Sequence, residues 1–287
     1  MHLREYDISQ RYTATVKSSE PITAEDAEAE VRHIVMRVDD DFRFKAGQSI
    51  GVLLEEPDDF GNPHRMRLYS IANAPNPKSV EAGVNIELCV RRCSYLDPVS
   101  GERYPGMLSN YLCDTSAGDS ITLTGPYGRK FQVPENPEAN LLLIGTGTGM
   151  APFRAFLHHL SDAQPGRAGK VRLFYGAETG LERAYGNDPE ADLGQYYEER
   201  TFKAFQMLSA STHAGLPASL NSVLEDNAGD AWEFIRDPDT HVYVAGLSKI
   251  ARVLDDTLGK AAGSEQIWQT TKSALMAQKR WSELLYD

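Results

Sequence analysis

Cysteine is scarce in this chain of 287 residues, which holds three: Cys89, Cys93 and Cys113. Three thiols cannot build a disulfide framework. The Cys89/Cys93 pair has no second pair or histidine cluster to complete a zinc or iron–sulfur site. Reduced thiols in a cytoplasmic protein are the expectation. Long hydrophobic runs are missing as well. No apolar stretch approaches the roughly 18 residues that mark a membrane span, and the opening "MHLREYDISQ" is too polar and mixed in charge for a signal peptide. Positive charge is in short supply. Lys+Arg number 29 against Asp+Glu 41, a formal net charge of −12. Without a basic stripe to neutralise phosphates, nucleic acid is excluded as the expected partner. Internal repeats and low-complexity segments are absent too.

Hydrophobic residues make up 41% of the chain, enough for packed cores, and the length suits two domains. The first part reads as strands. "QRYTATVKSSEPI", "AEVRHIVMRV", "QSIGVLLEE", "RMRLYSIAN", "VNIELCVRR" and "DSITLTGPYG" alternate or are rich in β-branched residues. Turn clusters such as "KAGQ", "DPVSGE" and "SAGD" separate them, as in an antiparallel barrel or sandwich. The run "AEDAEAE" reads as a solvated acidic face. A polar stretch with two prolines, "VPENPEAN", reads as a linker. Beyond it, apolar strands ("NLLLIGTG", "KVRLFYGA", "THVYVAGL") alternate with helical segments ("PFRAFLHHLSDA", "SKIARVLDDTLGKAAG"). That pattern predicts a parallel sheet covered on both faces. The tail from Ile267 reads as mostly helical.

Several stretches can carry chemistry. In "LLLIGTGTGMAPFRAFL" a buried strand ends in alternating glycines (Gly145, Gly147, Gly149) and Pro152 opens a helix. Glycines let backbone amides approach a phosphate, and a helix N-terminus favours an anion. Met150 stands where the third glycine of the dinucleotide fingerprint GxGxxG would be. "VYVAGL" is a second strand ending in small residues. In "HRMRLYSIAN", alternation puts Arg65, Arg67, Tyr69 and Ile71 on one face and Met66, Leu68 and Ser70 on the other. "LCVRRCSY" adds Arg91, Arg92 and Tyr95. "YPGMLSNYL" offers Gly106, Ser109 and Asn110 at a loop-to-helix start.

Taken in order, "HRMRLYSIAN", "LCVRRCSY", "GMLSNYLCD", "LTGPYG", "GTGTGMAPFRAFL", "VYVAGL" and "RWSELLY" resemble the plant-type ferredoxin–NADP⁺ reductases over nearly the whole chain. The resemblance implies a two-domain β plus α/β fold. An antiparallel Greek-key FAD-binding barrel spans residues 1–136, and a parallel α/β pyridine-nucleotide-binding domain spans 137–287. It implies Arg67 on the FAD pyrophosphate with Leu68 beside it, Tyr69 stacked on the isoalloxazine, and catalytic Ser70 near the reactive nitrogen. Cys89, Val90, Arg91 and Tyr95 would hold the adenosine end, and Gly106, Met107, Leu108 and Ser109 the phosphates. Gly145, Thr146, Gly147, Thr148, Gly149, Met150, Ala245, Gly246, Leu247 and Ser209 would hold NADP or NAD as co-substrate. Tyr286, also catalytic, would cover the other flavin face and move aside for nicotinamide. The implied activity is hydride exchange between NAD(P)H and FAD, and single-electron exchange with ferredoxin or a similar iron–sulfur carrier.

The chain departs from the family pattern at four places. Ala245 replaces a cysteine. Leu284 falls on the position of a glutamate, leaving Glu283 one residue away as a candidate catalytic stand-in or a surface helix charge. Asp287 follows the tyrosine. In "MLSASTHAGLPASL", Ser209 is kept but Ala210 takes the place of an arginine that grips the 2′-phosphate. Losing a charge-assisted contact costs about 1.5–3 kcal/mol, so weakened preference for NADPH over NADH is expected unless Lys249 or Arg183 compensates. Asp59 and Asn62 stand where lysines usually meet an acidic ferredoxin, leaving Arg91, Arg92 and Lys130 for docking. Two alternatives stand beside this reading: the reductase component of a multicomponent oxygenase, and a non-catalytic flavin-bound redox sensor.

Overall fold

The computed structural model describes residues 6–23, 25, 27, 29–38, 41–57, 64–76, 83–128, 130–177, 202–208 and 224–286. Met1–Gln132 with Arg154–His159 form one compact unit, and Val133–Phe153 with Leu160–Asp287 form the other. The main division thus falls at 132/133, four residues before the expected 136/137, and a short stretch of helix counts with the first unit.

In the first unit the alternating segments become strands β1 (Arg11–Pro21), β2 (Val31–Val38), β3 (Ser49–Leu54), β4 (Arg65–Ser70), β5 (Val84–Arg91) and β8 (Ser120–Tyr127). They pair antiparallel in the order β4-β3-β8-β1-β2-β5. The edges then meet. Ile71 bridges Leu88, and the Ala72 amide donates to the Glu87 carbonyl at 2.7 Å. The sheet therefore closes into a barrel, which leaves no unpaired edge along this join. Ile34, Met36, Ile50, Ile86, Leu88 and Leu123 fill it at 0–1% exposure. Each such side chain contributes about 1.5–3 kcal/mol by leaving water.

Two strands were not expected. β6 (Ser94–Leu96) and β7 (Arg103–Pro105) flank the "DPVSGE" turn as a hairpin with every residue exposed. Helix α1 (Met107–Cys113) follows. Arg92 pins this corner by donating to Glu30 at 2.6 Å, Asp114 at 2.8 Å and Asn110 at 3.1 Å. Glu30 also accepts from Arg32 at 2.6 Å. The acidic run is therefore not merely a solvated face, because its last carboxylate sits between two arginines.

The second unit holds β9 (Asn140–Thr146), β10 (Val171–Ala177), β11 (Phe202–Leu208), β12 (Thr240–Leu247) and β13 (Trp281–Tyr286). All pair parallel in the order β11-β10-β9-β12-β13. With them come helices α2 (Met150–Ala163), α3 (Ala228–Arg236), α4 (Ile250–Ala261) and α5 (Glu265–Ala277), and a single 3₁₀ turn at Gly147–Gly149. The sequence reading places a helix at "PASLNSVLEDNAG"; residues 224–226 are helical and α3 carries the helix on to Arg236, beyond the expected end. The chain runs β9 to β10 to β11 on one side, then β12 to β13 on the other, so the sheet's order reverses between β9 and β12.

The tail corrects the sequence reading. It is helical only to Ala277, and "WSELLY" is strand β13. Lys279 takes a left-handed φ of 58°. Its amide donates to the Met276 carbonyl at 3.0 Å, and the Arg280 amide to Leu275 at 2.8 Å. This pair of bonds ends α5 as a Schellman motif does, with lysine where glycine is usual. No glycine marks the stop. The chain's three tryptophans, Trp232, Trp268 and Trp281, pack edge to face under this corner. Trp268 donates to Asp255 at 2.7 Å and Trp281 to Glu283 at 2.6 Å.

Candidate functional site

On the barrel, the face of β4 that carries Arg67, Tyr69 and Ile71 grades from solvent to core. Arg67 is exposed and donates to the Met66 carbonyl at 3.0 Å, Tyr69 is half-buried against the core, and Ile71 is fully buried. Burial pushes the Tyr69 phenol well above its ordinary value. The Cys93 and Cys113 thiols add to this and the Arg67 charge opposes it. Tyr69 is therefore a neutral ring between Arg67 and the Cys93 corner. Ser70 ends β4, half-buried and paired with Ser49.

At the end of β5, Cys89 and Val90 are buried, so their side chains pack while their backbone joins the sheet. Arg91 is exposed. Arg92 is committed to the Glu30–Asp114–Asn110 network, and its pKa is raised chiefly by the hydrogen bond to Glu30. It is a structural cation here. Tyr95 is 58% exposed and stacks on Tyr104 with ring centres 5.7 Å apart. Beside that pair in sequence, Leu96 and Met107 are also exposed. Gly106 starts α1 where a side chain would crowd Cys93 and Ser109. Ser109 donates to the Gly106 carbonyl at 3.0 Å and accepts from the Cys93 amide at 3.2 Å, while Leu108 is buried.

The second unit presents backbone instead of side chains. Gly145 lies against Phe153, where an added methyl would come within 2.8 Å of the ring. A methyl on Gly149 would overlap the Ala245 carbonyl. One on Gly246, whose φ is +135°, would overlap Thr146. The turn after β9 and the turn after β12 are thus interlocked. Cross-bonds hold them. The Leu247 amide donates to the Thr146 hydroxyl at 3.2 Å, and the Tyr175 hydroxyl to the Gly147 carbonyl at 3.0 Å. A methyl added at Gly147 (φ +52°) would meet nothing within 4 Å, and Gly147 and Thr148 are half-exposed. Thr146, Gly149, Met150 and Ala245 are buried. This pair of tight turns lies at the carboxyl ends of β9 and β12, the reversal point where open α/β sheets bind ligands.

Tyr286, 40% exposed, comes to the same place, and its hydroxyl is 2.7 Å from that of Thr148. Glu283 does not. Side chains alternate along β13, so Glu283 shares the face of Trp281 and Leu285, which pack on the helix-covered core, while Leu284 shares the face of Tyr286. Its carboxylate accepts from the Trp281 indole and lies 3.9 Å from the Lys272 ammonium. Strand alternation thus separates Glu283 from the role of stand-in, and strand pairing from that of helix charge. Ser209, Ala210, Arg183, Asp59 and Asn62 lie outside the described residues.

The sequence reading missed one buried charge network. Arg154 of α2, 8% exposed, donates to the Ala72 carbonyl at 2.9 Å and to Glu87 at 2.5 Å, and His33 lies 3.4 Å from the same Glu87 oxygen. Burial alone would raise the Glu87 pKa. The His33 hydrogen bond and the Arg154 charge outweigh it and hold the carboxyl down to about 2. Positions this far apart in sequence leave no local pattern to find.

A barrel joined to a parallel sheet with glycine-clamped turns at its reversal point defines a class, and residues 143–256 match the family model described as an oxidoreductase NAD-binding domain. The chain is a pyridine-nucleotide-linked oxidoreductase. Relatives narrow the class. A ferredoxin–NADP reductase of Spirulina sp. is 31% identical over 94% of this chain and 93% of its own length. The chloroplastic leaf isozyme 2 of rice (Oryza sativa subsp. indica) is 31% identical over 98% of this chain and 77% of its own. The chain belongs to the ferredoxin–NADP reductase family. In fold it is similar to the ferredoxin–NADP⁺ reductase of Plasmodium falciparum, solved with 2′P-AMP, at a TM-score of 0.71 and 17% identity over 98% of each chain. No described helix is long and apolar enough to cross a membrane.

Proposed function

We propose that this chain holds FAD on its barrel and NADP(H) on its parallel sheet, and exchanges single electrons with ferredoxin or another iron–sulfur carrier. The observation that carries the reading is the interlocked pair of glycine turns at the sheet's reversal point, in a chain of this family. The barrel's residues fit a flavin dinucleotide. An exposed arginine, a half-buried neutral tyrosine and an exposed tyrosine pair leave uncovered the kinds of group that a pyrophosphate and two ring systems would cover. When bound, FAD supplies two-electron exchange with a pyridine nucleotide and one-electron exchange with a metal carrier.

The family resemblance supports a part for each residue. Arg67 holds the pyrophosphate, with Leu68 packed beside it. Tyr69 presents a flat neutral face, and Ser70 places a hydroxyl at the end of that strand. Cys89 and Val90 contribute backbone, Arg91 a guanidinium and Tyr95 a stacking surface at the adenosine end. Gly106, Met107, Leu108 and Ser109 shape the turn around the phosphates. Gly145 through Met150, with Ala245, Gly246 and Leu247, bring backbone close to the nicotinamide nucleotide and exclude water from beneath it. Ser209 would meet the adenosine end of that nucleotide. Three cysteines outside any disulfide suit a reducing compartment such as the cytoplasm.

Arg92 is used internally, so a carrier meets the exposed Arg91 instead. Ala210 in place of a phosphate-gripping arginine weakens the preference for NADPH over NADH. Ferredoxin-dependent reduction of cytochrome c, driven by NADPH and by NADH in turn, tests the reading. Ferredoxin-stimulated turnover with comparable rates from both coenzymes is expected. Turnover unaffected by ferredoxin would transfer the reading to another carrier, and strict NADPH selectivity would refute the part assigned to Ala210.

A further inference from the structure

Each of the three residues after Ser70 is tied down. The Ile71 amide donates to the Gln48 carbonyl at 2.9 Å and the Ala72 amide to the Glu87 carbonyl at 2.7 Å. The Asn73 side chain donates to the Asn85 carbonyl at 3.1 Å and accepts from the Glu87 amide at 2.9 Å. The Ala72 carbonyl is held in another way, by a side chain. Arg154 donates to it at 2.9 Å, and the same nitrogen donates to the Glu87 carboxylate at 2.5 Å. His33 of β2 lies 3.4 Å from that carboxylate oxygen. Arg154–His159 count with the barrel's unit, so the whole cluster lies within it. Ile71 bridges Leu88 and both fill the core, so Ser70 and Ala72 share the opposite face, two residues apart. The proposed flavin, nucleotide and carrier contacts use none of these three charged side chains.

We infer that Arg154 is a positioning residue: its guanidinium, held in place by Glu87, fixes the Ala72 peptide and through it the Ser70 hydroxyl at the end of β4. The inference rests on the proposed FAD site, in which Ser70 stands near the reactive part of the flavin. The guanidinium is 8% exposed, so moving it would leave a buried carbonyl and a carboxylate short of a donor. A clamp of this kind acts without touching the ligand. Misplacement of a reacting group by about 1 Å lowers a rate by up to roughly a hundredfold.

Removing Arg154 alone would mix position with stability, because it strands the Glu87 carboxylate. Arg154→Met combined with Glu87→Leu removes both charges, an exchange that buried ion pairs often tolerate, and takes the donor from Ala72. Arg154→Lys keeps the charge beside Glu87 but replaces the planar fork with one shorter ammonium, which stays with the carboxylate and drops the neutral carbonyl. The holoenzymes are compared with wild type and with Ser70→Ala in two ways. Anaerobic rapid mixing with NADPH reads the rate of flavin reduction. Visible circular dichroism reads the groups around the bound flavin without any turnover. Both Arg154 variants are expected to keep FAD, to alter the dichroism, and to slow reduction by roughly tenfold to a hundredfold at saturating NADPH. Adding Ser70→Ala to either should slow reduction no further than Ser70→Ala alone, because both changes act through one hydroxyl. Independent damage to packing would instead multiply with it. Wild-type rate and dichroism in both Arg154 variants, multiplied losses, or a wild-type rate in Ser70→Ala would overturn the inference and leave the FAD reading intact. Loss of FAD from both Arg154 variants would also overturn it, by making the guanidinium a support of the fold and not of one hydroxyl. A wild-type protein that retains no FAD would overturn both.

Discussion

Under the proposed function the two units face the same task, holding a ligand with phosphates and flat rings, and meet it in opposite ways. On the barrel the candidate contacts are side chains turned to solvent: Arg67, Arg91 and the Tyr95–Tyr104 pair. On the parallel sheet they are backbone, locked where Gly149 abuts Ala245 and Gly246 abuts Thr146. The difference teaches where tolerance lies. Removing an exposed side chain takes a contact from the ligand and leaves the barrel's core as it was. Adding one methyl to an interlocked turn displaces two strand ends at once, because close-packed interiors have no slack. The barrel has one exception, the buried charge network around Glu87, where a side chain does carry the fold.

Glu87→Gln should give the largest effect, about 3–5 kcal/mol of unfolding free energy, because it leaves the buried Arg154 guanidinium without its counter-charge. Denaturant unfolding checks this. The same network fixes an acid limb. The Glu87 carboxyl is depressed from 4.5 to about 2 in the fold, so its stabilisation is fully present above the unfolded value and is lost as pH falls from there through about 2. Melting temperature against pH should drop through that window in the wild type and much less in Glu87→Gln.

Gly246→Ala comes next, at about 2–4 kcal/mol, from an unfavourable φ together with overlap on Thr146. Gly101→Ala sharpens the comparison. Its φ is also positive, at +70°, but an added methyl there would meet nothing within 4 Å, so only the backbone strain of about 1–2 kcal/mol remains. Equal losses at the two glycines would break the claim that the turns are interlocked.

Arg67→Ala should weaken FAD retention by about 1.5–3 kcal/mol, roughly tenfold to a hundredfold, and leave unfolding of the flavin-free protein unchanged. An apoprotein destabilised as much as Gly246→Ala would erase the contrast between the units. Smallest is Tyr95→Ser, at about 0.5–1.5 kcal/mol of FAD affinity from lost stacking, read as flavin released on dilution.

Much of this was legible in the sequence because the signals are local. Alternation marked the strands of the barrel, continuous apolar runs marked β9, β10 and β12, and glycines next to Pro152 marked the turn into α2. What escaped had no local mark. α5 ends on Lys279 in a left-handed turn without glycine, so β13 was hidden inside an apparent helix and Glu283 was read as a stand-in or a helix charge, not as a strand residue bonded to Trp281. The hairpin β6–β7 is too short to show alternation. Glu87, Arg154 and His33 meet only after the barrel has closed. For the site, residue types announced the exposed arginines and tyrosines. The Thr148–Tyr286 hydrogen bond depends on strand order, which no single segment encodes.

The central claim is that a nucleotide on the glycine turns can reduce a flavin on the barrel although Ala245 and Leu284 replace the family's cysteine and glutamate. It is tested most directly by mixing the purified yellow protein anaerobically with NADPH, and separately with NADH, and following the flavin absorbance band in a rapid-mixing spectrometer. Rapid bleaching by at least one coenzyme is predicted. A band that stays yellow with both would contradict the account and leave the flavin-bound redox sensor in its place.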